Sequence, residues 1–238
     1  MSRIQLAPGV ALLFDLDGVI IDSMPMHTLA WERYMESHGV DVADLTQRMH
    51  GARNDQIVER FFGRRMSPRE VFEHGAAKER LFREMMTPRI EEHLVAGIRE
   101  FLASVEGAPM AIGSNAEPGN ITFTLDGAGI RRFFRVIVDG HQVTRGKPQP
   151  DVYLRAAELL QVDPAACVVF EDSAPGVEAG LNAGAKVVGV ATHVPALDGV
   201  SLMVEDFFDP RLKPFLESIV PAAAKDASAD PACQNERT

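Results

Sequence analysis

Short apolar runs at Val10–Phe14, Met110–Gly113, Val136–Val138, Cys167–Phe170 and Lys186–Val190 stand out against a polar background, each closed by charged or glycine-containing segments. Runs of three to five residues are too short for helices and fit strands buried on both faces. Between the later runs the spacing changes. Gly97–Val105 sets Ile98, Phe101, Leu102 and Val105 on one helical face before Gly107, and Asp151–Leu160 and Gly176–Ala183 repeat the device. Strands alternating with helices of this length pair in parallel through right-handed crossovers. The predicted fold class is therefore α/β, a doubly wound parallel sheet with helices on both faces.

The interval between the first two runs is far longer than one crossover needs, and it reads as helical throughout. Thr28–Ser37 followed by Gly39, Asp55–Phe62, and a longer stretch from Ser67-Pro68 to about Met86 carry apolar residues at helical spacing. An insertion leaving just after the first strand and returning near Leu94 predicts an α-helical cap domain, 24–94, over the carboxyl edge of a core made of 1–23 and 95–220. In open α/β sheets that edge is where ligands bind. The segment 221–238 opens with ten residues lacking a large apolar side chain and is predicted to be disordered.

Composition narrows the partners. The chain has 238 residues, 46% of them hydrophobic, and a formal net charge of −10, which disfavours nucleic-acid binding through a basic face and favours small or locally steered partners. Cys167 reads as a small core residue and Cys233 as an exposed one, with no disulfide framework. With no run of membrane-span length and no signal-peptide pattern, a cytoplasmic protein without a membrane or protein partner is expected.

The candidate chemistry lies at strand ends. Asp15 and Asp17, in Phe14-Asp15-Leu16-Asp17-Gly18, project to one side if the chain stays extended, and Gly18 permits a sharp turn. Carboxylates at the end of a buried strand are costly unless a cation sits against them. Alone, the pair also fits two solvated residues. Ser114, after Ala111-Ile112-Gly113, offers a hydroxyl for a phosphoryl oxygen or an ordinary helix cap. Lys147, in Arg145-Gly146-Lys147-Pro148, can cancel phosphate charge or simply lie on the surface. Glu171-Asp172, after Val168-Val169-Phe170, is a pair of hard oxygen donors suited to Mg²⁺; capping explains Asp172 but leaves Glu171 unexplained.

Taken in order, Phe14-Asp15-Leu16-Asp17-Gly18, Gly113-Ser114-Asn115, Gly146-Lys147-Pro148 and Phe170-Glu171-Asp172-Ser173 resemble the motifs of the haloacid dehalogenase-like phosphohydrolase superfamily, over about Ala11 to Val190. The helical insertion resembles the cap of its β-phosphoglucomutase and phosphoglycolate phosphatase branch, and Val19–Ser23 the flap between core and cap. The resemblance implies that Asp15 is the nucleophile and Asp17 the general acid and base, with Ser114, Asn115 and Lys147 on the phosphoryl group. It implies Mg²⁺ held by Asp15, the Asp17 backbone carbonyl and Asp172, with Glu171 nearby. In the cap it implies His27 beside the general acid, Arg53 toward the substrate's distal group, and Lys78 as a second basic position; an ordinary histidine and an exposed helix lysine are the alternatives for His27 and Lys78. Trp31, Phe61 and Phe62 are assigned to cap packing.

The presence of Asp17 favours phosphate esters over halides, because a departing alkoxide needs a proton. Where the mutase offers a serine and a lysine to a second phosphate, this chain has Ala116 and Glu117, and an acid there would repel one. The expected function is a Mg²⁺-dependent phosphatase acting through an aspartyl-phosphate on a small sugar, polyol or hydroxy-acid phosphate. A β-phosphoglucomutase or related phosphosugar mutase is the alternative, with a phosphoacceptor signalling domain and a non-catalytic binding protein ranked behind.

Overall fold

β1 (Ala11–Phe14), β2 (Met110–Gly113), β3 (Val136–Val138), β4 (Cys167–Glu171), β5 (Lys186–Val190) and β6 (Leu202–Val204) form one sheet in the order β3-β2-β1-β4-β5-β6, every neighbouring pair parallel. The computed structural model describes residues 2–43, 45 and 54–221, the side chains of residues 54 and 55 excepted. Arg53 and residues 222–238 of the predicted tail lie outside the described residues.

Both faces of the sheet are dry, which explains why its strands read as continuous apolar runs. Along β1, Leu12 and Phe14 join one core and Ala11 and Leu13 the other. On the first face Phe14 stacks on Phe170 with centroids 4.7 Å apart, and Phe101 and Phe134 meet it edge-on. α5 (Ile98–Ser104), α6 (Pro118–Gly127) and α9 (Leu212–Glu217) cover that face; α7 (Asp151–Leu160) and α8 (Ala174–Asn182) cover the other. The strand order turns back at β1, so the crevice beyond its carboxyl end lies between β2 and β4, at the switch point where such sheets take ligands.

Among the described residues, the long interval between β1 and α5 carries the helices α1 (Met24–Ser37), α2 (Asn54–Phe62), α3 (Pro68–Met86) and the single turn α4 (Ile90–His93). Trp31, Tyr34, Met35, Leu45, Ile57, Val58 and Phe61 give it a hydrophobic cluster of its own. Ser67 starts α3 with a capping box to Glu70, which fixes that boundary. Its two connections run side by side: Ile21 bridges Leu94, the Asp22 amide donates to the His93 carbonyl (2.7 Å) and the Val95 amide to Ile20 (3.1 Å).

The differences from the sequence reading have local causes. α1 begins at Met24 rather than Thr28, because Pro25 falls in the first turn, where its missing N–H is no loss. β4 runs one residue further, through Glu171, whose carboxylate is paired and therefore buried. β6 and α9 are too short to show a period, and α6 hides behind Gly119 and an alternation of threonine with apolar residues.

A Cβ on Gly180 of α8 would lie 2.8 Å from Val187 Cγ2 and 3.3 Å from Val169 Cγ1, so this glycine sets the spacing of helix and sheet. Gly180→Ala should destabilise the protein by about 1–3 kcal/mol, as a lower denaturant midpoint in urea unfolding; an unchanged midpoint would show the packing is looser than these distances.

Candidate active site

The register of the sheet assembles the site before any side chain is considered. Phe14 is level with Phe170, and the Asp15 amide donates to the Phe170 carbonyl at 3.0 Å, so Asp15 and Glu171 leave adjacent strands side by side. Phe14 is also level with Ile112, which places Ser114 at the same edge on the opposite flank of β1. Lys147 approaches from the loop before α7 through a cis Lys147–Pro148 peptide. Its ammonium donates to Asp15 Oδ1 at 2.7 Å and to Glu171 Oε1 at 2.6 Å. Ion pairs at this depth fix geometry more than they stabilise the fold.

Glu171 is fully buried and every part of its carboxylate is engaged. Oε1 also accepts from the Tyr153 hydroxyl (2.7 Å); Oε2 accepts from the Ser173 hydroxyl (3.0 Å) and from the Asp172 and Ser173 amides. A Cβ on Gly176 would sit 1.8 Å from Oε1, so the start of α8 must be bare for this carboxylate to fit. The sequence leaves Glu171 without a structural role; the fold shows it holding Lys147 in place.

Asp15, Glu171 and Asp172 offer oxygens all within 4.8 Å of one another. With one lysine between three carboxylates the group carries surplus negative charge. Burial lifts the Asp15 carboxyl to about 7 although Lys147 pulls it down, and burial with Asp15 and Glu171 lifts Asp172 to about 8. Burial also opposes the Lys147 charge, but Asp15 and Glu171 outweigh it and hold the ammonium above the ordinary lysine range. Among the described residues, Asp15 Oδ2 and both Asp172 oxygens receive no hydrogen bond. Open oxygen donors with excess charge fit a hard divalent cation, and the best-placed ligands are Asp15 and Asp172, with Glu171 behind them.

Asp17 points elsewhere. Gly18 turns the chain just after it (φ +80°), and the Asp17 Oδ1 accepts from Ser23 Oγ at 2.5 Å, while Lys147 acts on it electrostatically without a hydrogen bond. Ser23 precedes α1, yet its hydroxyl bonds Asp17 and not the helix. Burial raises the Asp17 pKa, the Ser23 hydrogen bond opposes this, and Glu79 adds to it. A Cβ on Gly18 would fall 1.9 Å from Asp172 Oδ2, so the two acidic motifs meet across this glycine.

Ser114 is buried and its Oγ accepts from the Ala116 amide (3.1 Å), leaving its proton to donate outward. Asn115 is exposed, and its Oδ1 accepts weakly from the Lys147 amide (3.4 Å). His27 and Lys78 come together inside the insertion: Lys78 Nζ lies 2.7 Å from His27 Nδ1 and 2.9 Å from Glu79 Oε1. An ammonium can only donate, so His27 Nδ1 is the acceptor and its proton is on Nε2. Burial, then Lys78, push His27 down to about 3, and it stacks on Phe82 at 3.8 Å. Lys78 is no surface lysine, being 1% exposed above the Trp31 ring. The sequence reading missed Ser23, Glu79, Asn120 and Tyr153. Of these only Glu79 left a trace, as a charge beside Lys78 on the stripe Gly75, Lys78, Glu79, Phe82, Met86 that α3 buries.

A family model described as haloacid dehalogenase-like hydrolase matches residues 10–184. The chain belongs to this family. Similar proteins include the β-phosphoglucomutase of Bacillus subtilis (strain 168), 32% identical over 84% of this chain and 90% of the relative. Hexitol phosphatase A of Escherichia coli (strain K12) is 31% identical over 81% and 88%. Among solved structures, a hydrolase of this family, of family IA, variant 3, from Entamoeba histolytica, superposes with a TM-score of 0.75 at 26% identity, covering 84% of this chain and 94% of that one. The chain is thus a haloacid dehalogenase-like hydrolase with a parallel sheet, and relatives of it are named as phosphatases. Among the described residues no helix is long and apolar enough to cross a membrane.

The acid cluster makes stability depend on pH in a definite sense. Folded Asp15 and Asp172 keep their protons to about 7 and about 8, whereas the ordinary value is 3.8. The folded metal-free protein therefore binds more protons than the unfolded chain across that window, and stability falls as pH rises through it. In chelator, Tm should decline from about pH 5 to about pH 8.5, and added Mg²⁺ should flatten the decline; a chelator curve flat over this range would contradict the charge excess.

Proposed function

We propose that this hydrolase is a Mg²⁺-dependent phosphatase acting on a small phosphate monoester, a sugar, polyol or hydroxy-acid phosphate, through an aspartyl-phosphate. The observation that carries the reading is the approach of Lys147 to Asp15 and Glu171, with Asp172 within reach of both acids. Phosphoryl transfer is governed by positioning and by neutralising charge, and these groups do both.

In this reading Asp15 attacks phosphorus in line with the leaving oxygen. Asp17, whose raised pKa suits a proton carrier, protonates that oxygen and then takes a proton from the water that opens the acyl phosphate. Lys147, Ser114 and Asn115 hold the phosphoryl oxygens. Asp15, the Asp17 backbone carbonyl and Asp172 hold Mg²⁺, with Glu171 supporting the set. When bound, the ion supplies charge neutralisation at the phosphoryl group. Residues 24–94 act as a cap domain over a core of 1–23 and 95–220, with His27 and Lys78 supporting the general acid and Arg53 assigned to the substrate's distal group by the family resemblance alone, and the enzyme works in the cytoplasm on a small phosphorylated metabolite.

A phosphosugar mutase is the second reading, favoured by the similarity to the Bacillus subtilis β-phosphoglucomutase. Against it, Glu117 stands just before α6 where the mutase offers a lysine to a second phosphate, and a carboxylate there would repel that phosphate. A phosphatase releases inorganic phosphate steadily from sugar, polyol and short-acid phosphates, whereas a mutase interconverts sugar phosphates after priming by a bisphosphate.

With Mg²⁺, Asp15→Asn should abolish phosphate release by at least about a thousandfold, and Asp17→Asn should lower it by about a hundred- to ten-thousandfold. Steady phosphate release surviving in Asp15→Asn would overturn the mechanism.

A further inference from the structure

Outside the phosphoryl site, the most elaborate polar arrangement among the described residues lies where the helical insertion meets α6. Asn120, on the first turn of α6, is buried, and both ends of its carboxamide are engaged. Its Nδ2 donates to Glu79 Oε2 at 2.7 Å, and its Oδ1 accepts from Arg83 Nη1 at 2.7 Å. Both partners belong to α3, so one core side chain grips two charges of the insertion. The partners also fix the orientation of the amide, since a guanidinium only donates and a carboxylate only accepts.

The grip does not end there. Glu79 accepts from Lys78 through its other oxygen (2.9 Å), and Lys78 reaches His27 on α1 (2.7 Å). Lys78 and Glu79 both act electrostatically on Asp17, which is tied to Ser23 at the entrance of α1. Arg83 Nη1 lies 3.5 Å from where a Cβ on Gly119 would be, so its head rests on the start of α6. Asparagine is a poor residue for a buried helical position, because its amide competes with the backbone. Here it is the uncharged side chain able to take one acid and one base at once.

We propose that Asn120 is a positioning residue that clasps the insertion to the core and, through Glu79, sets Lys78 beside Asp17. The consequence for turnover rests on the phosphatase reading above; the clasp itself does not. Loss of Asn120 removes the polar hold of α6 on the insertion, leaving the apolar contact of Phe82 with Phe123, and frees Glu79 Oε2 to turn and draw Lys78 out of place. Asn120→Asp sets a second carboxylate against Glu79, so the insertion opens. Glu79→Gln combined with Asn120→Asp reverses the donor across the pair. The amide now at position 79 donates to the carboxylate now at position 120 and still accepts from Lys78, and the net charge stays as it was.

The test uses the full chain with spin labels at Phe72→Cys on α3 and Leu154→Cys on α7, both exposed, and Cys233→Ser so that buried Cys167 is the only other thiol. Electron–electron double resonance gives the insertion-to-core distance without substrate, and phosphate release gives kcat and KM in unlabelled protein. In Asn120→Asp the distance distribution should broaden to longer values and kcat should fall at least about tenfold with KM changed less. The double variant should restore the narrow distribution and bring kcat within about threefold of the starting protein. Asn120→Asp that keeps the original distances, or a double variant no better than the single one, overturns the clasp. If the starting protein releases no phosphate from any ester while the distances respond as described, the phosphatase reading fails and the clasp stands.

Discussion

One ammonium among several carboxylates organises this molecule. Lys147 holds Asp15 and Glu171 together at the carboxyl edge of the sheet, but a single positive charge cannot neutralise them and Asp172 as well. The surplus acid is buried, and that makes the place receptive to a cation. Every nearby feature serves to keep the lysine where it is. Tyr153 and Ser173 saturate Glu171, Gly176 makes room for it, and the parallel register of β1 and β4 sets the two acids level. A buried ion cluster of this sort lowers stability relative to an apolar one, so its presence is explained by chemistry and not by folding.

A second buried ion pair, Lys78 with Glu79, stands on the far side of Asp17, inside the insertion. The two pairs divide the labour between the two aspartates of the opening motif. Asp15 bonds Lys147 and lies beside Glu171 and Asp172; Asp17 bonds Ser23 and feels Glu79, Lys147 and Lys78. One residue separates them, yet their hydrogen-bond partners belong to different parts of the chain. In the proposed mechanism it is this difference in environment, more than residue type, that separates a nucleophile from a proton carrier.

Membership of the haloacid dehalogenase-like hydrolases does not by itself name a reaction, since relatives of similar identity carry the names of a mutase and of phosphatases. A family supplies the scaffold, and function follows the side chains placed on it. Glu117, just before α6, is the residue on which the phosphatase proposal parts from the mutase reading.

The amino-acid sequence by itself determined the layering and the motif residues. Apolar runs too short for helices and buried on both sides specify parallel strands whatever surrounds them, and residues at strand ends converge once strands are parallel. Asp15, Asp17, Ser114, Glu171 and Asp172 stand at or just past strand ends for that reason, whereas Lys147, in the loop before α7, was legible only through its motif Gly146-Lys147-Pro148. Tertiary structure alone decided which of them touch and what supports them. Tyr153 beneath Glu171, Ser23 turned from its helix to Asp17, and Asn120 between Glu79 and Arg83 are contacts across 18, 6, 41 and 37 residues of chain. No local period or motif encodes such pairings, because each depends on where two separately formed elements come to rest. Lys78 is the clearest instance: a lysine in a charged helix reads as solvated, and only the packing of α3 against α1 and α6 puts it out of reach of water.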